Sequence, residues 1–288
     1  MGWLNALIQG LLLGGLYALF ATGLSLMFGV MRIVNLAHGD LAIVASFLAL
    51  ALVSGTGLPL WVVIVVTVPL FALLGYLTQR VLLQRSLSSG PLATLLVTFG
   101  LSIVIQNLLL EIFSADTRTL DGGSFATGSF EVSGAISIGY LSLATFLLAC
   151  AALVGIQLFL SRTGLGRMLR ASSDDRETAN LMGADSRHVY GIATAIAFGS
   201  VALAGLMFSI RSSFDPAIGP SRLIFAFEAV VIGGLGSLWG TLLGGMVLGV
   251  TQSLSAEVDP ALTLLAGHLI FLAVLAFRPR GLLAGRTA

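Results

Sequence analysis

The chain has 288 residues, of which 57% are apolar and only 9% charged, and its mean hydropathy is +1.03. Soluble globular domains carry about a quarter charged residues, so this composition excludes a soluble protein. The net charge of +1 decides nothing by itself; that the basic residues are all arginine excludes Schiff-base chemistry and any phosphate-loop lysine.

A membrane span needs roughly 20 apolar residues. Stretches of that kind run over 3–28, 58–79, 91–113, 138–160, 189–210 and 261–277. The first is too long for a signal-peptide core and lacks a basic leader, so it is expected to be a retained span. Two regions break the pattern: Leu41–Val53 is short for a span, and Leu223–Ala256 is too long for one and interrupted by glycine. The expectation is an all-α polytopic membrane protein, a single domain over 1–288, with about eight transmembrane segments including short or re-entrant pieces. Cys150 lies in an apolar run and reads as a small core residue.

Between the first span and Leu41 the chain places Arg32, Asn35, His38 and Asp40 among apolar residues. Polar groups at membrane depth are costly and usually functional, which makes Asn35 and His38 candidates for a translocation path. The alternative is a tight interfacial turn in which Asn35 and His38 satisfy helix ends and Asp40 caps the next helix.

Arginine in short loops marks the cytoplasmic side. Arg80 and Arg85, the five arginines of 161–190, and Arg278, Arg280 and Arg286 predict that these segments face inward, whereas 114–137 faces outward. Alternation then puts 211–222 outside and the start of the last span outside, so 223–256 leaves and returns to the same side. Its turn is expected at Gly233-Gly234-Leu235-Gly236-Ser237, and Gly233, Gly234, Gly236 and Ser237 are further candidates for the path, because transporters place helix breaks along it. Gly240 and Gly244 form a small-residue packing motif. Glu228, in an apolar run near the outer half, is expected to snorkel to the interface, with a place on the path as the alternative.

The polar island 161–190 holds nine of the 27 charged residues. Ser172 or Ser173 is placed to cap a helix, and Ser172 with Asp175 matches a capping box. Asp174, Asp175 and Glu177 crowd its first turn, Ala179, Leu181 and Met182 give it an apolar edge, and Gly183 stops it. The prediction is one amphipathic helix of about ten residues, a handle for a soluble partner that drives the membrane part. Ser237 and His268 lack the surroundings of a serine hydrolase, and His38, His188 and His268 lack metal-ligand spacing.

The run N-L-A-H-G-D at 35–40, the island, and V-I-G-G-L-G-S-L-W-G-T-L-L-G-G at 231–245 together resemble the permease subunits of bacterial ABC importers for branched-chain amino acids, of the LivH kind. The resemblance covers nearly the whole chain. It implies a heteromeric inner-membrane importer: a second permease subunit, two ATP-binding cassette ATPases that hydrolyse ATP, and a periplasmic or lipid-anchored substrate-binding protein. In that scheme residues 172–183 seat in a groove of the ATPase, the chain itself binds no cofactor or nucleic acid, and lipid surrounds it. Family relatives that carry urea or short amides are the alternative cargo, and a stand-alone secondary transporter is the alternative class.

Overall fold

A computed structural model describes residues 2–133 and 136–283; Arg286, counted above toward the inward tail, lies outside the described residues. The elements in chain order are α1 (Gly2–Met31), α2 (His38–Thr56), α3 (Leu60–Thr78), α4 (Gln84–Ser88), α5 (Pro91–Phe113), α6 (Gly123–Thr127), β1 (Ser129–Ser133), β2 (Ile136–Gly139), α7 (Tyr140–Arg162), α8 (Gly164–Asp174), α9 (Arg176–Leu181), α10 (Ser186–Arg211), α11 (Gly219–Gly233), α12 (Leu238–Val258) and α13 (Leu262–Phe277). A π-helical turn over Gln79–Leu83 joins α3 to α4 in one long rod. The fold is all-α apart from the small antiparallel β1–β2 hairpin.

Six helical rods are long and apolar enough to cross a membrane: α1, α2, α3 with its extension to Leu87, α5, α7 and α10. The α11–α12 pair, turned by 116° at its break, and the shorter apolar α13 bring the segments to the eight expected. α2 corrects the reading of Leu41–Val53 as short. The helix runs 19 residues because His38, Gly39 and Asp40 are its first turn, buried inside the protein rather than lying at a surface, and because it continues through Ser54, Gly55 and Thr56.

The ends of the bundle are defined by contacts across it. At one end Arg118 and Phe214 exchange backbone hydrogen bonds of 2.8 and 2.9 Å, and Gln9 Nε2 donates to the Ser137 carbonyl at the hairpin (2.6 Å). The described parts of loop 114–137 and the loop 211–222 therefore share one end with the N-terminal part of α1, as alternation requires. The opposite, arginine-bearing end holds α8, α9 and the turn after α11, which lies against Gly29 of α1.

The tightest helix crossing is α1 on α12. On Gly10 and Gly14 an added Cβ would strike the α12 backbone at Val250 and Met246, and on Gly245 and Gly249 it would strike the α1 backbone at Gly14, Ala18 and Gly10. Lipid offers no hydrophobic drive for helix association, so backbone-to-backbone contact through small residues supplies it. Gly240 and Gly244 of the predicted motif face the other way, onto Gly233 and Ala229 of α11. The α12 helix thus has two glycine seams, one per partner. Gly249→Val should cost about 1–3 kcal/mol by overpacking, read as a lower thermal midpoint of the detergent-purified protein. Gly155→Ala, where an added Cβ meets nothing within 4 Å, should leave the midpoint within a degree or two; equal midpoints for both variants would refute the role given to the crossing.

Candidate translocation path and coupling surface

The 32–40 segment starts from Arg32, which takes a left-handed backbone (φ 54°) and turns the chain back toward the interior. Asn35 is buried; its Oδ1 accepts from the Ala37 amide (3.0 Å) and its carbonyl from the His38 amide (3.2 Å). Its side chain satisfies the start of α2, the local role weighed for it. His38 is fully buried, and its Nε2–H donates to the Phe20 carbonyl (3.0 Å) in the middle of α1. Asp40 does not cap α2: Ala37 holds that position, and Asp40 accepts from the Ser102 hydroxyl of α5 (2.5 Å). These groups tie α1, α2 and α5 together and do not line an open cavity.

A second polar cluster lies where no motif pointed. The Tyr17 hydroxyl donates to Gln252 Oε1 (2.5 Å), pinning α1 to α12 at mid-span. The Arg222 guanidinium sits over the rings of Phe208 and Phe225, at 4.7 and 5.3 Å. Glu228 does not reach the interface. It is 3% exposed and pairs with His268 Nδ1 of α13 at 2.5 Å, while the His268 ring stacks on Phe225. A buried acid needs such a partner, because an unpaired charge in apolar surroundings is prohibitive. The only cues in sequence were a lone Gln in α12 and a lone Glu in α11. His268 is thus engaged by Glu228, and Ser237 uses its hydroxyl to cap α12 by accepting from the Gly240 amide (3.1 Å). The structure does not join them.

The polar island is two helices, not one. Thr163 caps α8 by accepting from the Gly166 amide (2.9 Å). Ser172 is buried within α8, and Ser173 bonds back to the Arg170 carbonyl, so neither serine caps a helix start. The cap of the second helix is Asp175. Its Oδ1 accepts from the Glu177 and Thr178 amides (2.9 and 3.1 Å) and its Oδ2 from the Thr178 hydroxyl (2.6 Å). These bonds, the Thr178 hydroxyl first, hold its carboxyl below the usual aspartate range. Asp174 ends α8, and Glu177 sits in the first turn of α9. Gly183 stops α9 as expected, with φ 89°, a conformation that favours glycine. The apolar edge divides: Ala179 is buried, whereas Leu181 and Met182 are 87% and 85% exposed at the tip.

Between the island and the spans lies a cleft of about 690 Å³, lined by Ser25, Leu26, Gly29 and Val30 of α1, Gln157 and Leu160 of α7, one face of α8, and Gly236, Ser237, Leu238 and Trp239 at the start of α12. Of the six path candidates, Gly236 and Ser237 reach this cleft. Gly233 and Gly234 pack against α12 and the C-terminal tail instead, and Asn35 and His38 are enclosed.

The cap gives a pH prediction with a definite sign. A carboxyl held low when folded stabilises above its ordinary value, about 3.9, and the contribution is lost as pH falls through its lowered folded value. The protection of the amides across 177–181, taken relative to their base-catalysed intrinsic exchange, should therefore be flat from pH 8 to 5. Asp175→Ala should speed that exchange on the order of fivefold, and Asp175→Asn should retain most of the protection; equal exchange in both variants would show that the cap is idle.

The family model described as branched-chain amino acid transport system / permease component matches residues 6–276. The chain is 31% identical to the high-affinity branched-chain amino acid transport system permease protein BraD of Pseudomonas aeruginosa, over 98% of this chain and 95% of that protein. It is 27% identical to LivH of Escherichia coli K12, a permease protein with the same description, over 88% of this chain and 86% of the relative. To LivM of the same organism it is 25% identical, over 93% of this chain but 68% of the relative. Among solved structures it is similar to PsaBC from Streptococcus pneumoniae in complex with Fab, with a TM-score of 0.50, 15% identity, and coverage of 96% of this chain and 93% of that one. At that identity the likeness speaks to fold alone.

Proposed function

We propose, since this chain belongs to the family of permease components of branched-chain amino acid transport systems, that it is the LivH-type membrane-spanning subunit of an ATP-driven importer for leucine, isoleucine and valine. It works in the inner membrane beside a second permease, with two ATPase subunits on the island side and a periplasmic or lipid-anchored binding protein at the hairpin end. Hydrolysis belongs to the ATPases, and this chain needs no cofactor. The island and the described C-terminal tail then face the cytoplasm.

The observation that carries this reading is the exposed Leu181–Met182 tip. Two large apolar side chains held in water on a capped helix have no use in an isolated permease; they fit insertion into an apolar groove of a partner. The tip is also stiffly mounted. The Ser186 hydroxyl donates to Asn180 Oδ1, the Ala184 amide donates to the Ala179 carbonyl (3.0 Å), and Arg176 lies over the Tyr190 ring at 5.5 Å. A push on α9 is therefore delivered to α10 rather than absorbed, as rigid-body coupling requires.

Leu181→Asp with Met182→Asp should lower ATP-dependent leucine uptake by proteoliposomes of the assembled importer at least tenfold, with the subunit still inserted in the membrane. Undiminished uptake would remove the coupling role. Uptake of urea or short amides in place of leucine would reassign the cargo and leave the coupling intact.

A further inference from the structure

We infer that the cleft between α8 and the start of α12 is a binding site for a free aliphatic α-amino acid, occupied from the cytoplasm by cargo already released. The inference rests on the orientation and cargo argued under Proposed function, and it adds a site that the transport reading does not require.

A free amino acid presents a carboxylate, an ammonium and an apolar side chain within a few ångströms of one another. The cleft offers a counterpart to each. For the carboxylate there are Arg167 and Arg170 on the lining face of α8, neither with an ion-pair partner among the described residues. The N-terminus of the 21-residue α12 also opens here, with Ser237, Leu238 and Trp239 on the wall. The first N–H groups of a helix lack intrahelical acceptors and carry the positive end of its dipole, so arginine pair and helix end attract the same anion. For the ammonium there is Asp174, which lines the cleft from the C-terminal end of α8, where the helix dipole also favours a cation. For the aliphatic side chain there are Leu26, Val30, Leu160 and Trp239.

Arg167, Arg170, Ala171 and Asp174 follow the i, i+3, i+4, i+7 spacing of one helix face, so both signs of charge are presented together. The opposite face, Gly166, Leu169 and Ser172, is buried. A separate observation points to a ligand. Ser25 of α1 is 0% exposed and lines the cleft, and its hydroxyl has no hydrogen-bond partner among the described residues. A buried hydroxyl left unbonded costs stability, and a carboxylate or ammonium in the cleft gives it a partner. The volume, about 690 Å³, lies in the range of small-molecule sites. The acid beside the two arginines disfavours inorganic phosphate or an anionic lipid headgroup, which carries negative charge without an ammonium to meet Asp174.

An occupant here touches α1, α7, α8 and α12 at once, and α8 leads through Asp174 and Asp175 straight into α9. Bound cargo therefore joins the island to the spans it has to move against, so accumulated product slows the cycle. By reciprocity, whatever the ATPase does to α8 alters affinity in the cleft.

The test uses the assembled importer in nanodiscs, without binding protein or nucleotide, and measures equilibrium binding of radiolabelled leucine. Saturable binding is expected, weakened at least tenfold by Arg167→Ala with Arg170→Ala. Competition by 4-methylpentanoate, which lacks the ammonium, and by isopentylamine, which lacks the carboxylate, should each be at least tenfold poorer than by leucine. In Asp174→Asn the penalty for lacking the ammonium should disappear. Both arginines are exposed, so variants that co-purify with the ATPases report binding and not misfolding. Leucine binding unchanged in the double arginine variant would overturn the site. So would competition by inorganic phosphate, or by anionic lipid in the disc, as strong as that by leucine. Leucine uptake without any such binding removes the cleft site alone, whereas neither uptake nor binding removes the assignment of cargo as well.

Discussion

Backbone hydrogen bonding is the constraint on which the rest of this structure depends. In an apolar slab every free N–H or C=O costs several kcal/mol, so helices that start or stop inside the protein must be finished by something else. Here the finishing groups are identifiable. The carbonyls of Ile232 and Gly233, left open by the end of α11, accept from the amides of Leu282 and Leu283 at 2.8 and 2.9 Å. The C-terminal tail thus acts as a strand-like cap on a helix fifty residues earlier. Before α2, the Asn35 side chain and carbonyl perform the equivalent task for the amides of Ala37 and His38. Only with these substitutes can two breaks exist beside spans as apolar as α1 and α10.

The second consequence concerns how closely the spans approach. The turn Gly234–Ser237 folds α12 back along α11, with Gly234 and Gly236 at φ 112° and 79°, conformations that suit glycine. α12 then has a neighbour on either side and meets each through glycine: α11 by Gly240 and Gly244, α1 by Gly245 and Gly249. With side chains absent from both seams, polar pairs become the elements that fix register. Tyr17 with Gln252 locks α1 against α12, and Glu228 with His268 locks α11 against α13. Such pairs contribute modestly to stability within a membrane, but a slipped register would leave their polar atoms unbonded.

The apolar runs and the glycine turn were legible in sequence because they are local: each depends on composition within one window. Alternation of arginine-bearing loops located both ends of the bundle, and contacts such as Arg118 with Phe214 agree with it. The capping of the island was misread because Ser172 fits the motif yet faces inward from α8, while Asp175, three residues on, is the residue with free amides ahead of it. The length of α2 is hidden in sequence for a related reason. In sequence His38 and Asp40 read as a boundary, whereas the structure buries them with partners on α1 and α5. The glycine pair of α1, the Glu228–His268 bond and the cleft were not legible at all. Each joins residues dozens to hundreds of positions apart, and no window along the chain contains both halves.

The same geometry explains why the island is split into two short helices. A single helix from 164 to 181 would present one continuous face, and its free end would lever about its root. The break at Asp175 (φ −148°) lets α8 lie against α1 and α10 while α9 turns to hold its tip outward. One piece then reads the interior, through the face that lines the cleft, and the other reads whatever docks on Leu181 and Met182. Asp175 caps α9, and its own amide closes α8 by donating to the Ala171 carbonyl at 3.0 Å. Motion at the tip therefore reaches α8 through a residue bonded on both sides. Beyond α9, the Asn180–Ser186 bond and the cap of α10 by Asp185 carry it into a helix held along its length, by Tyr76 at His188 (2.9 Å) and by Gln79 at Thr194 (2.9 Å). A loop built only to follow the positive-inside rule would need none of these bonds; a lever needs all of them.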